Sequence, residues 1–282
     1  MTGGYIGNIS GMRLINRLIY RAVLACLCLA TVSCPAAADI IAGDSILADS
    51  TVARVPPQVE EDGDAFNAKQ LIAPGALLAV GIFGTYNGWC RKINHEIKDD
   101  MAKMRGDHYL RFDDYACFLT PAVYFGLGFT GVKTKHTFRE RLAVEITSYV
   151  ALAAIGNGMK YSFRVERPDM SRKNSFPSGH TAIAFTGAEL IREEYGNAWG
   201  AGAYVVATGI AFLRMYNEKH WLTDVIGGAG VGILCARIGY WMLPLYRKWF
   251  HWDDKNRNVM MTMAPSYDGF TRTAGLSLAL RF

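Results

Sequence analysis

The first residues along the chain whose types and spacing could support catalysis are two cations. Lys160 and Arg167 lie seven positions apart in the run KYSFRVERP, and Pro168 follows directly. Seven residues make about two helical turns, so the spacing predicts that both side chains point the same way from one helix, which Pro168 ends. Such a pair of cations could hold an anion such as phosphate. The other interpretation is a basic cap at a membrane interface.

A second cluster is the tetrapeptide Pro177, Ser178, Gly179 and His180, which stands at the start of a predicted helix. Proline suits a first helical turn. The backbone N–H groups at a helix N-terminus are free to bind an anion, and Gly179 leaves them accessible. His180 could transfer a proton to or from a group bound there. On its own this tetrapeptide is weak evidence, because Pro-Ser-Gly is common at helix starts.

A third cluster combines Arg214, His220 and Asp224. His220 and Asp224 are four positions apart, which predicts that they share one face of a helix. An aspartate in that place could fix the tautomer of the imidazole and stabilise its positive charge. Arg214 could bind phosphate oxygens through two parallel hydrogen bonds. Taken alone, a histidine and an aspartate at this spacing more often form an ordinary hydrogen bond.

Together the three clusters predict hydrolysis of a phosphate ester. Three cations, Lys160, Arg167 and Arg214, would hold the phosphate oxygens while charge is redistributed. His220 would attack phosphorus and form a phosphohistidine. His180 would protonate the leaving oxygen and then activate water.

The order of these clusters resembles that of the PAP2 (type 2 phosphatidic acid phosphatase) family, whose pattern is K-x6-R-P, then P-S-G-H, then S-R-x5-H-x3-D. The resemblance covers about residues 70–250. It implies a six-helix bundle with the motifs at one end, phosphate binding by Ser178 and Gly179, and no metal or other cofactor. The family serine before the motif arginine is Leu213 here. Loss of its hydrogen bond to phosphate is expected to narrow the substrate range or slow the reaction.

Six apolar stretches must position these clusters. They lie at about 71–89, 115–132, 141–159, 180–191, 198–213 and 221–246. Lengths near 18 residues with few charges are typical of membrane helices. The predicted fold class is therefore all-α, a transmembrane six-helix bundle of the PAP2 type over residues 67–250.

The charges of the loops predict an orientation. The loop 133–141 carries four lysines and arginines, which predicts that it is cytoplasmic and that the motif clusters face the periplasm. A cleaved signal sequence would give the opposite parity if every stretch spans the membrane. The sequence leaves this parity open.

Both ends of the chain differ from the bundle. Residues 1–38 have arginines, a short apolar core and a small-residue site, which predicts a signal peptide or an N-terminal anchor. Residues 39–66 are acidic and contain prolines, as in a flexible linker. Alternating apolar residues in the tail 251–282 predict two short strands, a hairpin packed on the membrane surface or on a partner. Its end also resembles the closing strand of an outer-membrane barrel.

The amino-acid composition limits the classes of partner that the chain is expected to bind. Apolar residues make up 51% of the chain and charged residues 20%, which is too apolar for a typical soluble enzyme. The net charge of +5 comes without a basic run interleaved with aromatics, so nucleic-acid binding is not supported. The six cysteines include no C-x-x-C pair, which argues against a cysteine zinc site. The expected partners are a membrane and a phosphorylated lipid, and the oligomeric state is left open.

The leading prediction is a phosphatase of the bacterial envelope. It would act on lipid A, undecaprenyl pyrophosphate, phosphatidylglycerophosphate or phosphatidic acid, in the inner membrane with its site facing the periplasm. Association with the outer membrane stays open. One alternative is a soluble periplasmic acid phosphatase that acts on small phosphomonoesters. Another is a non-catalytic, lipid-binding envelope protein.

Overall fold

The chain is mostly helical over its described part. A computed structural model describes residues 66–106, 108–110, 112–252, 260–268 and 273–281. The predicted signal segment 1–38 and nearly all of the predicted linker 39–66 lie outside these residues. The helices are α1 (Ile72–Tyr86, preceded by the 3-10 turn Ala68–Leu71), α2 (Gly88–Arg105), α3 (Asp113–Ala116), α4 (Leu119–Phe129), α5 (Phe138–Phe163), α6 (Gly179–Tyr195), α7 (Asn197–Tyr216), α8 (Leu222–Trp241) and α9 (Leu243–Phe250).

The six apolar stretches correspond to helices, with three interruptions. The stretch 71–89 runs past the end of α1 into the start of α2. The stretch 115–132 is divided between the end of α3 and α4, and the stretch 221–246 is divided between α8 and α9. The charged segment after α1 forms α2. The all-α prediction is confirmed for the bundle. Its described residues form more helices than the six apolar stretches that the sequence predicted.

Four helical segments among the described residues are long and apolar enough to cross a membrane. They are Ala68–Tyr86, Phe138–Phe163, Asn197–Tyr216 and Leu222–Phe250. Large apolar side chains on these segments point outwards, including Phe83, Val150 and Val205. Apolar side chains that face away from the core of a bundle are suited to contact with lipid tails. The chain is therefore a membrane protein by the length and composition of its helices.

Helix α6 lies at the centre of the bundle. Most of its side chains are buried, and it packs against α4, α7 and α8. Helix α8 also packs against α1 and α5. Glycines permit this close approach: a Cβ added to Gly81 of α1 would lie 2.7 Å from the Cα of Gly227 in α8. Another, added to Gly228, would lie 2.6 Å from the carbonyl oxygen of Ser178. Small residues at helix contacts are typical of membrane bundles, and here they bring the start of α8 against the start of α6.

Buried charges at the other end of α6 are paired. The carboxylate of Glu189 accepts hydrogen bonds from Nε of Arg192 at 2.8 Å and from the hydroxyl of Tyr204 at 2.6 Å. It also forms an ion pair with Arg237 at 2.7 Å. A buried carboxylate is tolerated only when partners satisfy it. These buried charged residues therefore stabilise one another within the bundle, and their presence does not require a catalytic role.

The tail contains two strands, β1 (Met260–Asp268) and β2 (Thr273–Arg281), which pair antiparallel. The register runs from Met260 opposite Arg281 to Asp268 opposite Thr273. The strands fall in the segment for which the alternating pattern predicted them. Their packing on a membrane or a partner stays a prediction.

Candidate active site

The first cluster is not built on one helix. Helix α5 ends at Phe163, and Arg164 follows in the left-handed conformation with φ of 47°. Lys160 therefore lies in the last turn of α5, whereas Arg167 lies in the following loop. The prediction that both cations project from one helix was wrong, and so was the prediction that Pro168 ends it. The helix stops earlier because the backbone changes hand at Arg164.

The two cations nevertheless approach the start of α6. A Cβ added to Gly179 would lie 3.3 Å from the Nζ atom of Lys160, so the ammonium group sits over the first residue of that helix. Arg167 donates from Nε to the Oδ1 atom of Asn174 at 3.0 Å. Burial lowers the pKa of Arg167, Asp169 opposes this, and the nearby Arg214 lowers it further. We call the set of Lys160, Arg167, Arg214 and the N-terminus of α6 the anion site.

The second cluster lies at the start of α6 as predicted, since the helix begins at Gly179 with Ser178 as its N-cap residue. Pro177 precedes the N-cap, so the prediction that it belongs to the first helical turn was wrong. Ser178 is fully buried. Its backbone N–H donates to the carbonyl oxygen of Asp224 at 3.0 Å, and its hydroxyl lies 2.9 Å from that of Thr181. The backbone N–H and the hydroxyl of Ser178 are thus both engaged within the protein. Binding of phosphate by Ser178 and Gly179 stays a prediction, for which the backbone at Gly179 is the accessible part.

The third cluster departs from its predicted geometry. Helix α7 ends at Tyr216 and α8 begins at Leu222, so His220 lies in the turn and only Asp224 is helical. The two residues do not share a helix face. Their closest atoms, Nδ1 of His220 and Oδ2 of Asp224, are 3.8 Å apart, which is too far for a hydrogen bond.

Ser175 fills the gap between this histidine and this aspartate, and sequence reasoning missed it. Its carbonyl oxygen lies 2.8 Å from Nδ1 of His220, and its hydroxyl donates to Oδ2 of Asp224. The same Oδ2 accepts from the backbone N–H of Trp221 at 2.9 Å. Because a carbonyl can only accept, Nδ1 of His220 carries the proton and Nε2 has the free electron pair. Nε2 is therefore the nucleophilic atom.

Burial sets the charge of both histidines. His220 is 3% exposed, and burial lowers its pKa, an effect that Asp224 opposes and Arg214 reinforces. Burial and Arg214 together lower the pKa of His180 to about 4, although Asp114 acts in the opposite direction. The lowered pKa values favour the neutral form of both imidazoles at neutral pH. A neutral imidazole is the form that can attack phosphorus.

Arg214 is held by two aspartates that the sequence patterns did not identify. Its NH1 atom donates to Asp113 Oδ2 and to Asp114 Oδ1, each at 2.8 Å. Asp113 is also bonded through Oδ1 to the Nδ2 atom of Asn217 at 3.2 Å. Asp114 Oδ1 lies 3.3 Å from Nε2 of His180. These aspartates stand about a hundred positions from Arg214 in the chain, so no local pattern could have revealed them.

A cavity of about 440 Å³ opens beside Arg214. Its lining is polar and rich in carboxylates, consisting of Tyr109, Asp113, Asp114, Asp169, Arg214, Asn217, Glu218 and Lys219. Within this lining, Nζ of Lys219 donates to Oδ2 of Asp169 at 2.9 Å. Leu213, at the position of the family serine, is a partly buried residue of α7. Over the residues that the structure describes, no group of three or more histidine, cysteine, aspartate and glutamate side chains is placed to hold a metal ion.

Comparison with known proteins gives one family match. The model of the PAP2 superfamily matches residues 142–248, a range that includes every predicted site residue. The chain is 37% identical over 123 residues to a protein of Porphyromonas gingivalis described as lipid A 1-phosphatase. That match covers 43% of this chain and 27% of the relative, so the chain spans about a quarter of its length. A second relative, the bacitracin transport permease protein BcrC of Bacillus licheniformis, is 27% identical over 151 residues, 45% of this chain and 72% of the relative.

Two crystal structures also show likeness to the chain. LpxE of Aquifex aeolicus is 22% identical with a TM-score of 0.39, over 50% of this chain and 92% of that one. The first transmembrane PAP2-type phosphatidylglycerolphosphate phosphatase from Bacillus subtilis is 16% identical with a TM-score of 0.45, over 65% and 98% respectively.

Proposed function

We propose that the chain is a membrane-embedded phosphatase of envelope lipids and a member of the PAP2 superfamily, whose model matches residues 142–248. It would hydrolyse phosphate monoester or pyrophosphate groups. The observation that carries the proposal is the convergence of His180 and His220 on the buried cation Arg214. Oδ1 of Asp114 lies 3.3 Å from Nε2 of His180 and 2.8 Å from NH1 of Arg214, and the backbone N–H of His220 donates to the carbonyl oxygen of Arg214 at 3.3 Å. This convergence lies in a bundle whose helices are long and apolar enough to cross a membrane.

The geometry supports a two-step reaction. The anion site would bind the phosphate group, with the α6 N-terminus and the guanidinium groups facing its oxygens. His180 would first take up a proton when the negative phosphate binds beside it. Nε2 of His220 would then form a bond to phosphorus while the bond to the lipid oxygen breaks, and the protonated His180 would give that oxygen its proton. His180 would then remove a proton from water, whose oxygen attacks the phosphohistidine. The products are free phosphate and the dephosphorylated lipid, and both histidines return to their starting states.

The segment beside the site suits a lipid substrate. Tyr109, Phe112, Tyr115 and Phe118 are all exposed, although they flank the polar residues that bind Arg214. Exposed aromatic side chains are enriched where membrane meets water. A lipid could therefore keep its tails in the bilayer while its phosphate enters the anion site. This arrangement favours a lipid over a small soluble phosphomonoester.

The substrate, location and finer architecture belong to the same proposal. The candidates are lipid A, undecaprenyl pyrophosphate, phosphatidylglycerophosphate and phosphatidic acid, and the description of the P. gingivalis relative makes lipid A the first to test. We place the protein in the inner membrane with the site facing the periplasm. The six-helix bundle would comprise α1 and α4 to α8, and the hairpin of β1 and β2 would lie on the membrane surface or on a partner.

The test is phosphate release by the purified full-length protein in detergent, against the four lipids and p-nitrophenyl phosphate. His220→Ala should abolish release while the protein still folds and unfolds cooperatively, at a temperature lowered by the loss of a buried, hydrogen-bonded side chain. His251→Ala is the matched control, because His251 is exposed at the end of α9 and should leave release unchanged. Full activity of His220→Ala would refute the mechanism. Release from the small ester alone would favour the soluble acid phosphatase, and no release at all would favour the lipid-binding protein.

A further inference from the structure

Asp114 touches two of the groups that the proposed reaction requires. Its Oδ1 atom lies 2.8 Å from NH1 of Arg214 and 3.3 Å from Nε2 of His180. The guanidinium would bind a phosphate oxygen, and the imidazole would protonate the oxygen of the leaving group. One carboxylate oxygen thus bridges two groups between which a phosphate oxygen would lie.

The neighbouring Asp113 has a different structural role from Asp114. Its side chain is 2% exposed, and its two oxygens are engaged with Arg214 and Asn217. A buried carboxylate bonded in this way holds the arginine in place. The side chain of Asp114 is 56% exposed, so it can turn into solvent without breaking the core. Of the two aspartates, Asp114 is the one that can leave.

Arg214 has unused capacity for hydrogen bonds in this arrangement. Its Nε atom is buried and has no hydrogen-bond partner within the described residues. A buried donor without a partner carries a desolvation cost. A ligand with more than one acceptor oxygen could satisfy this donor, which the single oxygen of Asp114 does not.

We propose that Asp114 is an internal competitor of the substrate phosphate, whose carboxylate occupies the anion site until a phosphate group displaces it. The inference rests on the proposed function, because it requires the anion site to bind phosphate. A dianion held by three cations displaces the carboxylate, whereas a weaker anion does not at ordinary concentrations. Free phosphate competes with Asp114 for the same cations, so the carboxylate also weakens binding of the product.

The test measures binding without turnover. Thermal unfolding of the full-length protein in detergent is followed across a series of inorganic phosphate concentrations, and the stabilisation gives the apparent dissociation constant. Asp114→Asn should bind phosphate about tenfold more tightly, which corresponds to about 1.4 kcal/mol. Asp114→Ser repeats the loss of charge with a smaller side chain and should agree. Asp99→Asn, at an exposed position of α2, is the matched control and should bind as the wild type does.

Each result decides the question. Equal or weaker binding by both Asp114 variants would overturn the inference, since a residue that only positions Arg214 would weaken binding when removed. Arg167→Ala should abolish the response, which shows that phosphate binds in the anion site. Absence of a response in wild-type and variant proteins alike would refute the anion site, and with it the proposed function. Loss of turnover with normal phosphate binding would instead refute the reaction alone.

Discussion

Replacing Asp224 by asparagine should remove a charge from beside His220 while keeping the local hydrogen bonds. The two donors that reach this carboxylate, the hydroxyl of Ser175 and the backbone N–H of Trp221, both meet the same oxygen, Oδ2. The amide oxygen of asparagine can take that place. The amide nitrogen would then stand where Oδ1 stands, a buried atom that has no partner among the described residues. We therefore expect Asp224→Asn to fold, because both hydrogen bonds to Oδ2 are kept, with a loss of stability of about 1–3 kcal/mol for amide N–H groups that find no acceptor.

The size of the effect follows from the distance between the two side chains. When His220 attacks phosphorus its ring becomes positive, and Oδ2 of Asp224 lies 3.8 Å from Nδ1. Two unit charges about 4 Å apart attract by about 4 kcal/mol at an effective dielectric constant of about 20, which is an upper bound for this pair. Loss of that stabilisation would slow the chemical step by up to about a thousandfold. Since Asp224 is not a phosphate ligand, KM should stay near its wild-type value.

The assay is the steady-state rate of phosphate release in detergent, with kcat and KM determined separately. Ser175→Ala is the companion variant. It keeps the charge of Asp224 and the backbone carbonyl that accepts from His220, and it removes one hydrogen bond to the carboxylate. A hydrogen bond to a charged group contributes about 1.5–3 kcal/mol. We expect a loss of about tenfold in kcat for Ser175→Ala, clearly less than for Asp224→Asn.

Two results would refute this reasoning. If Asp224→Asn retained the wild-type kcat, the charge of Asp224 would not stabilise the reacting histidine. If Ser175→Ala lost as much activity as Asp224→Asn, the position of the carboxylate rather than its charge would carry the effect. Unfolding temperatures of both variants show whether a loss of activity reflects a loss of structure.

Two further predictions concern stability. Because burial lowers the pKa of His180 to about 4, below the ordinary value of 6.5, the unfolded chain binds this proton first as pH falls. Thermal stability should therefore decrease from about pH 6.5 towards pH 4, and His180→Gln should flatten that dependence; an unchanged slope would contradict it. Gly81→Ala should destabilise by about 1–3 kcal/mol, since its Cβ would meet Gly227 at 2.7 Å. Gly75→Ala, with no atom within 4 Å, is its control, and equal unfolding temperatures would refute the packing argument.

Local patterns predicted the helices better than the turns that end them. Uninterrupted apolar stretches indicated where helices lie, and the tetrapeptide ending in His180 indicated where α6 begins. The same reasoning assumed that helical periodicity continues across seven residues from Lys160 to Arg167 and across four from His220 to Asp224. It does not, because Arg164 adopts a left-handed conformation and the chain turns before α8. The residues still converge, since the packing of helices and not a shared helix face brings them together.

The residues that were missed are those whose role depends on a distant partner. Asp113 and Asp114 lie in a polar segment with no recognisable spacing to the motifs, and their partner Arg214 is about a hundred positions away. Ser175 stands only two residues before the tetrapeptide that begins at Pro177. Its carbonyl oxygen contacts His220 and its hydroxyl donates to Asp224, which are 45 and 49 positions away in the chain. Only the tertiary structure shows these contacts.

The exchange of Asp114 for phosphate offers an explanation of how His180 obtains its proton. Burial and Arg214 lower the pKa of His180 to about 4, so at neutral pH its imidazole is neutral and unable to act as an acid. Asp114 brings one negative charge close to this ring, whereas a phosphate monoester brings up to two. More negative charge beside an imidazole raises its pKa. His180 would then become protonated when substrate binds, and the acid would be available only when a phosphate is present to be cleaved.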